Sequence, residues 1–103
     1  MSVRVQYPGQ RLMLDGVLDA SSAPDVRLAL HEALDHGVDD LVIDLAALQM
    51  LDATGLGVLV GSHRRAGRLG RRLVLTGVPP QVERMLLVTR LHRVLHVETD
   101  AVA

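Results

Sequence analysis

Leu41-Val42-Ile43-Asp44-Leu45 and, a few residues on, Leu51-Asp52-Ala53-Thr54-Gly55-Leu56-Gly57 decide how this chain is read. The first is a short apolar run with β-branched residues, the mark of a strand covered on both faces, and Leu73-Val74-Leu75-Thr76 repeats it. Both are expected to be central strands. Between them, Thr54 to about Leu69 reads as a helix with Leu56, Leu59 and Val60 inward and Ser62, Arg64, Arg65 and Arg68 toward the wetter end. Gly57, Gly61 and Gly67 inside it each cost about 1 kcal/mol relative to alanine, so close approach to the sheet is the expected compensation.

Working outward, Val3-Arg4-Val5-Gln6 alternates as a half-buried strand does, and Arg11-Leu12-Met13-Leu14-Asp15 follows it. Tyr7-Pro8-Gly9-Gln10 between them predicts a type II turn, because proline sets φ at the second position and glycine supplies positive φ at the third. Ser22 reads as the N-cap of a helix with Pro24 in its first turn, carrying Val26, Ala29, Leu30, Ala33 and Leu34 inward and stopping at Gly37. Pro79 and Pro80 open a last helix with Val82, Met85 and Leu86 inward, and Val94-Leu95-His96-Val97 closes the sheet as an edge strand. The order predicts an α/β fold over residues 1–103: a mixed sheet of four to five strands, an N-terminal hairpin, right-handed crossovers and helices packed against the sheet.

Composition narrows the function. The chain has 103 residues, enough for one core. Eleven arginines against 12 acidic residues leave a net charge of −1, which offers phosphate backbones no bulk attraction. One tyrosine and no other aromatic residue remove the stacking platforms of single-strand binders, so direct nucleic-acid binding is not expected. Without cysteine there is no disulfide or thiol chemistry. No apolar run reaches the roughly 18 residues of a membrane span and no leader pattern opens the chain; a cytoplasmic protein with no membrane contact is expected.

The Asp52–Gly57 segment puts a hydroxyl in the first turn of a helix with glycines behind it. The helix N-terminus favours an anionic group, so Thr54 is a candidate phosphate acceptor. Residue types alone favour Asp52 or Thr54 as a plain cap, since caps of this kind are common, and the two roles are compatible. Gly55-Leu56-Gly57-Val58-Leu59-Val60-Gly61 departs from a dinucleotide fingerprint, its third glycine one residue late. His92 and His96 lack a third ligand, so neither metal nor cofactor is expected. The arginines at 64, 65, 68, 71 and 72 read as a solvated helix end.

Together the strand at 41–45, Leu48 and Leu51-Asp52-Ala53-Thr54-Gly55-Leu56-Gly57-Val58-Leu59 resemble the signature of STAS domains of the anti-sigma factor antagonist family, in which a D-[SA]-[ST]-G-[LIV] loop opens a helix. Asp15-Gly16-Val17-Leu18-Asp19 resembles that family's upstream G-[ED]-[LI]-D element, with Val17 in place of the usual acidic residue, and Gly77–Val82 resembles the lead into its later helix. The resemblance implies a non-enzymatic interaction module. Unphosphorylated, it would bind an anti-sigma factor with serine/threonine kinase activity and free a sigma factor; phosphorylation of Thr54 would release it, and a PP2C-type phosphatase would restore it. Ala53 stands where many members carry a second serine. The implied docking face comprises Asp19, Met50, Asp52, Ala53, Thr54, Gly55 and Leu56; its apolar members Met50 and Leu56 read equally as core residues, and for Leu56 the inward helical spacing favours the core. Two other readings stay open: a STAS scaffold subunit of a stressosome or lipid-transport complex, and a small-anion or nucleotide binder using the helix start at Gly55.

Overall fold

The computed structural model describes residues 1–98; the last five residues of the expected 1–103 span lie outside it. The chain runs β1 (Ser2–Tyr7), β2 (Arg11–Leu18), α1 (Ala23–Asp35), β3 (Asp40–Asp44), β4 (Leu48–Leu51), α2 (Ala53–Arg68), β5 (Arg72–Thr76), α3 (Pro80–Val88), a 3₁₀ turn (Leu91–Arg93) and β6 (His96–Val97). The opening hairpin forms as its turn residues dictate: Gly9 has φ +69°, and the Gln10 amide donates to the Tyr7 carbonyl at 2.9 Å.

The strands lie in the order β1-β2-β3-β5-β6, with β1 antiparallel to β2 and every other pair parallel. β4 is an added short strand that the periodicity of the sequence does not reveal. It exists because β2 is long enough to serve two partners: Arg11–Met13 pair with β3, and Gly16–Leu18 pair with β4. The change of partner falls at Gly16, whose φ of +112° bends the strand and whose amide donates to the Ala47 carbonyl.

One core joins all three helices to the sheet, with Leu12, Leu14, Leu41, Ile43, Leu73 and Leu75 from the strands and Leu30, Leu59 and Leu86 from the helices fully buried. β5 is covered as a central strand should be, but β3 alternates buried and half-buried residues. Its second face is partly open and carries polar pairing, with Arg11 on Asp44 at 3.3 Å. The edge strand at the end of the chain is shorter than expected, since residues 91–93 wind into the 3₁₀ turn and leave Val94 exposed.

Two details of α2 depart from the sequence reading. Ser62 is fully buried, because it continues the inward stripe of Gly55, Val58, Leu59 and Ala66. A Cβ at Gly57, Gly61 or Gly67 would meet nothing within 4 Å, so none of the three serves a close approach to the sheet. The arginines behind α2 are also more than a solvated end. Arg65 holds Asp35 of α1 through two nitrogens, Arg72 does the same to Asp40, and buried Arg71 donates to the carbonyls of Gly9, Ala33, Leu34, Val38 and Asp39. Arg71 thereby closes the C-terminal end of α1, where carbonyls lack helical partners.

Candidate functional site at the start of α2

β2 and β4 run parallel side by side, so the Asp19–Ser22 loop and the Asp52 junction that leave their C-terminal ends emerge next to each other. The C-terminal ends of parallel strands are where open α/β sheets place their sites. The Asp52 amide donates to the Leu18 carbonyl at 3.3 Å and ties the two loops together.

The open choice of cap resolves in favour of Asp52. Its backbone is extended and its Oδ1 accepts the Gly55 amide at 2.9 Å, the geometry of a helix N-cap. Thr54 sits two residues further, exposed, and among the described residues its hydroxyl enters no hydrogen bond. Ala53 is exposed beside it. Gly55 is buried, and a Cβ there would lie 2.6 Å from the Leu18 carbonyl oxygen and 2.7 Å from side-chain atoms of Leu18 and Leu51. The first turn of α2 therefore sits directly on the end of β2, which only glycine permits.

The neighbouring loop is equally fixed. Asp19 Oδ1 accepts from the Ser21 hydroxyl at 2.7 Å and from the amides of Ser21 at 3.0 Å and Ser22 at 3.2 Å. These bonds, the Ser21 hydroxyl foremost, hold the Asp19 carboxyl below its ordinary value, so it is ionised at neutral pH. Ser22 begins α1 as expected, but its hydroxyl makes no cap; it donates to the Val17 carbonyl and accepts the Asp19 amide, serving the loop instead.

Of the apolar residues expected on the docking face, Met50 is 48% exposed but Leu56 is only 7% exposed. Leu56 is thus corrected to a core residue: it points inward with Leu59, as its helical spacing requires. Gly55 likewise shapes the site from beneath. Reasoning from the sequence did not find Gln49 and Gln81, whose bond from Gln81 Nε2 to the Gln49 carbonyl joins α3 to β4. Beside Met50, these two residues with Leu51, Val82 and Met85 line a cleft of about 360 Å³. Among the described residues no three histidines or carboxylates gather as a metal would require, and no helix is long and apolar enough to cross a membrane.

The family model described as "Mlab, STAS domain" matches residues 2–97. The chain belongs to the STAS-domain family. The curated relatives of this STAS domain include the anti-sigma-B factor antagonist of Staphylococcus epidermidis, 29% identical over 82 residues that cover 80% of this chain and 76% of that protein. Its fold matches that of an anti-sigma factor antagonist from Mycobacterium paratuberculosis with a TM-score of 0.78 at 23% identity, covering 93% of this chain and 81% of the other. The anti-sigma factor antagonist SpoIIAA in its unphosphorylated form matches with a TM-score of 0.70 at 19% identity, covering 94% and 86%. The resemblance read from the Asp52–Leu56 motif thus holds along the length of the chain.

Proposed function

We propose that this STAS domain is an anti-sigma factor antagonist whose affinity for its partner is set by phosphorylation of Thr54. The observation that carries the reading is an exposed, uncommitted hydroxyl on the first turn of α2, flanked by the ordered carboxylates of the Asp52 cap and the Asp19 loop. The names of the relatives support it, and one of them is described by its phosphorylation state.

In this reading the unphosphorylated domain binds a cytoplasmic anti-sigma factor through Asp19, Met50, Asp52, Ala53 and Thr54. The anti-sigma factor, a serine/threonine kinase, transfers the γ-phosphoryl group of ATP to the Thr54 oxygen and releases ADP. A PP2C-type phosphatase returns the hydroxyl by hydrolysis. The STAS domain supplies only the acceptor, so it is not itself an enzyme. Phosphate adds about −1.5 to −2 charges at neutral pH. Beside Asp52, that charge must be desolvated on docking and repels carboxylates across the contact. A coupling of about 1–3 kcal/mol changes affinity roughly 5- to 150-fold, enough to exchange partners without refolding.

The test is to add the purified protein and ATP to lysate of its host and locate phosphate by peptide mass, with Thr54→Ala as control. Phosphate on Thr54, absent from the control, supports the switch. An unmodified Thr54 in a protein that still holds a specific partner would move the reading to a scaffold role.

A further inference from the structure

The net charge of −1 conceals a polarised chain. Residues 1–52 hold three arginines and nine carboxylates, whereas residues 53–98 hold eight arginines and two carboxylates, together with His63, His92 and His96. The fold concentrates part of the basic half on one edge of the sheet, at β6, the edge opposite β1.

There, an open groove of about 470 Å³ is lined by Arg72, His92, Arg93, His96 and Glu98 over a floor that includes Val74. His63 of α2 reaches the same edge: its ring centroid lies 5.6 Å from that of His96. Its Nδ1 is buried and, among the described residues, has no partner. Arg72 is already paired with Asp40 at 2.7 Å, but Arg93 and Arg64 are exposed and form no ion pair among the described residues. Among the described residues, Arg93 and the imidazoles of His92 and His96 thus line the groove beside one carboxylate outside any ion pair, Glu98, with His63 against His96 and Arg64 beside His63 on α2.

We infer that the β6 edge is a second docking surface, which takes an acidic segment of a partner protein independently of Thr54. Charge complementarity sets the sign of the ligand. The groove is open rather than enclosed, which suits a length of chain better than a small molecule. Nucleic acid is disfavoured because the one aromatic residue, Tyr7, lies on β1 at the far edge, leaving bases nothing to stack on.

The histidines make the surface pH-dependent. His63 faces His96 from β6 and Arg64 from its own helix; around His96 stand Arg72 and Asp40 of the neighbouring strands, His92 and Arg93 of the 3₁₀ turn, and Glu98. A bound carboxylate favours the charged form of a neighbouring imidazole, so an acidic ligand and added protons reinforce each other, and affinity rises by at most about tenfold per pH unit for each proton taken up on binding.

The test titrates the full chain, ¹⁵N-labelled, with a synthetic oligoglutamate peptide at about pH 6 and about pH 8, either side of the ordinary histidine value. Saturable shifts confined to residues 63–64, 72 and 92–98, roughly tenfold tighter at the lower pH, are expected. Arg93→Glu, on an exposed side chain, should abolish binding, while His63→Gln should leave binding in place and reduce its pH dependence. Shifts spread equally over Arg4, Arg27 and Arg84 would overturn the inference as diffuse attraction. Tighter binding of inorganic phosphate or of polyuridylate than of the peptide would overturn it in favour of a small-anion or nucleic-acid surface.

Discussion

The glycines of α2 give the sharpest test of the structure, because two kinds of site occur in one helix. Gly57, Gly61 and Gly67 are exposed, and a Cβ at any of them finds open space. Alanine there gains the intrinsic helix propensity, about 0.8–1 kcal/mol per site, with no steric term to subtract. The triple variant should therefore be more stable by roughly 2–3 kcal/mol, and each substitution alone should raise the melting temperature by about 4–8 °C in a domain of this size. Gly55→Ala gains at most the same propensity but drives a methyl to 2.6 Å from the Leu18 carbonyl oxygen and 2.7 Å from Leu18 and Leu51 side-chain atoms. Overpacking of that kind costs on the order of 1–3 kcal/mol, so the net effect is destabilising. Urea unfolding reads both, as opposite movements of the midpoint at unchanged slope. A neutral or destabilised Gly57→Ala, Gly61→Ala or Gly67→Ala would refute the open surroundings of those sites. A stabilised Gly55→Ala would refute the seating of α2 on β2. Gly57 and Gly61 also share the face of Thr54, three and seven residues on, so alanine there should weaken the proposed docking while strengthening the fold; Gly67, more than three turns away, should do only the latter.

Asp52→Ala removes the cap of α2 and should cost about 1 kcal/mol, read as a fall in melting temperature that Asp52→Asn largely avoids. Arg71→Lys strips a five-bond fork from the buried end of α1, and a point-charge ammonium cannot serve those carbonyls together, so a loss of about 3 kcal/mol or more in urea unfolding is expected. Acid should lower the stability of the domain over two pH ranges, followed as urea midpoint against pH. His63 is held below the ordinary 6.5 by burial first, then by His96 and Arg64; His31 is held below it by burial first, then by Arg65. The fold thus favours their neutral forms, and this contribution is complete above 6.5 and lost as pH falls through the folded values. Asp35 and Asp40 are held below the ordinary 3.8 chiefly by hydrogen bonds from Arg65 and Arg72, so their contribution is complete above 3.8 and lost as pH falls through the lower folded values. His63→Gln should flatten the fall over the upper range and leave that over the lower.

What the sequence discloses depends on how local the cause is. The hairpin is legible because Pro8 and Gly9 impose its turn whatever surrounds them, and β5 because an unbroken apolar run has few other fates. β4 is hidden: its four residues bury only the first and last, and it forms because β2 outlasts β3 and bends at Gly16. The Asp-Ala-Thr-Gly segment marked the candidate site through its residue types together with its resemblance to the family motif. The division of labour within it, with Asp52 capping, Gly55 buried and Thr54 left free, needed the packing of Leu18 and Leu51. The arginines are the hardest case. Five in close succession look alike, yet Arg65, Arg71 and Arg72 are committed by partners about 30 or more residues away, and Arg64 and Arg68 by none among the described residues.

Those commitments bear on the proposed phosphorylation of Thr54. Arg71 and the Arg65–Asp35 pair anchor the C-terminal ends of α1 and α2, while the Asp52 cap, the Gly55 contact and the Asp19–Ser22 bonds anchor the opposite end. The candidate site is thus held by the Asp52 cap, the Gly55 contact and the Asp19–Ser22 bonds. In the proposed function, a phosphate on exposed Thr54 is read as charge and shape at the surface, by a partner that desolvates it. A switch of that kind leaves the core untouched and leaves the β6 edge, at the far side of the sheet, free to hold a second partner in either state.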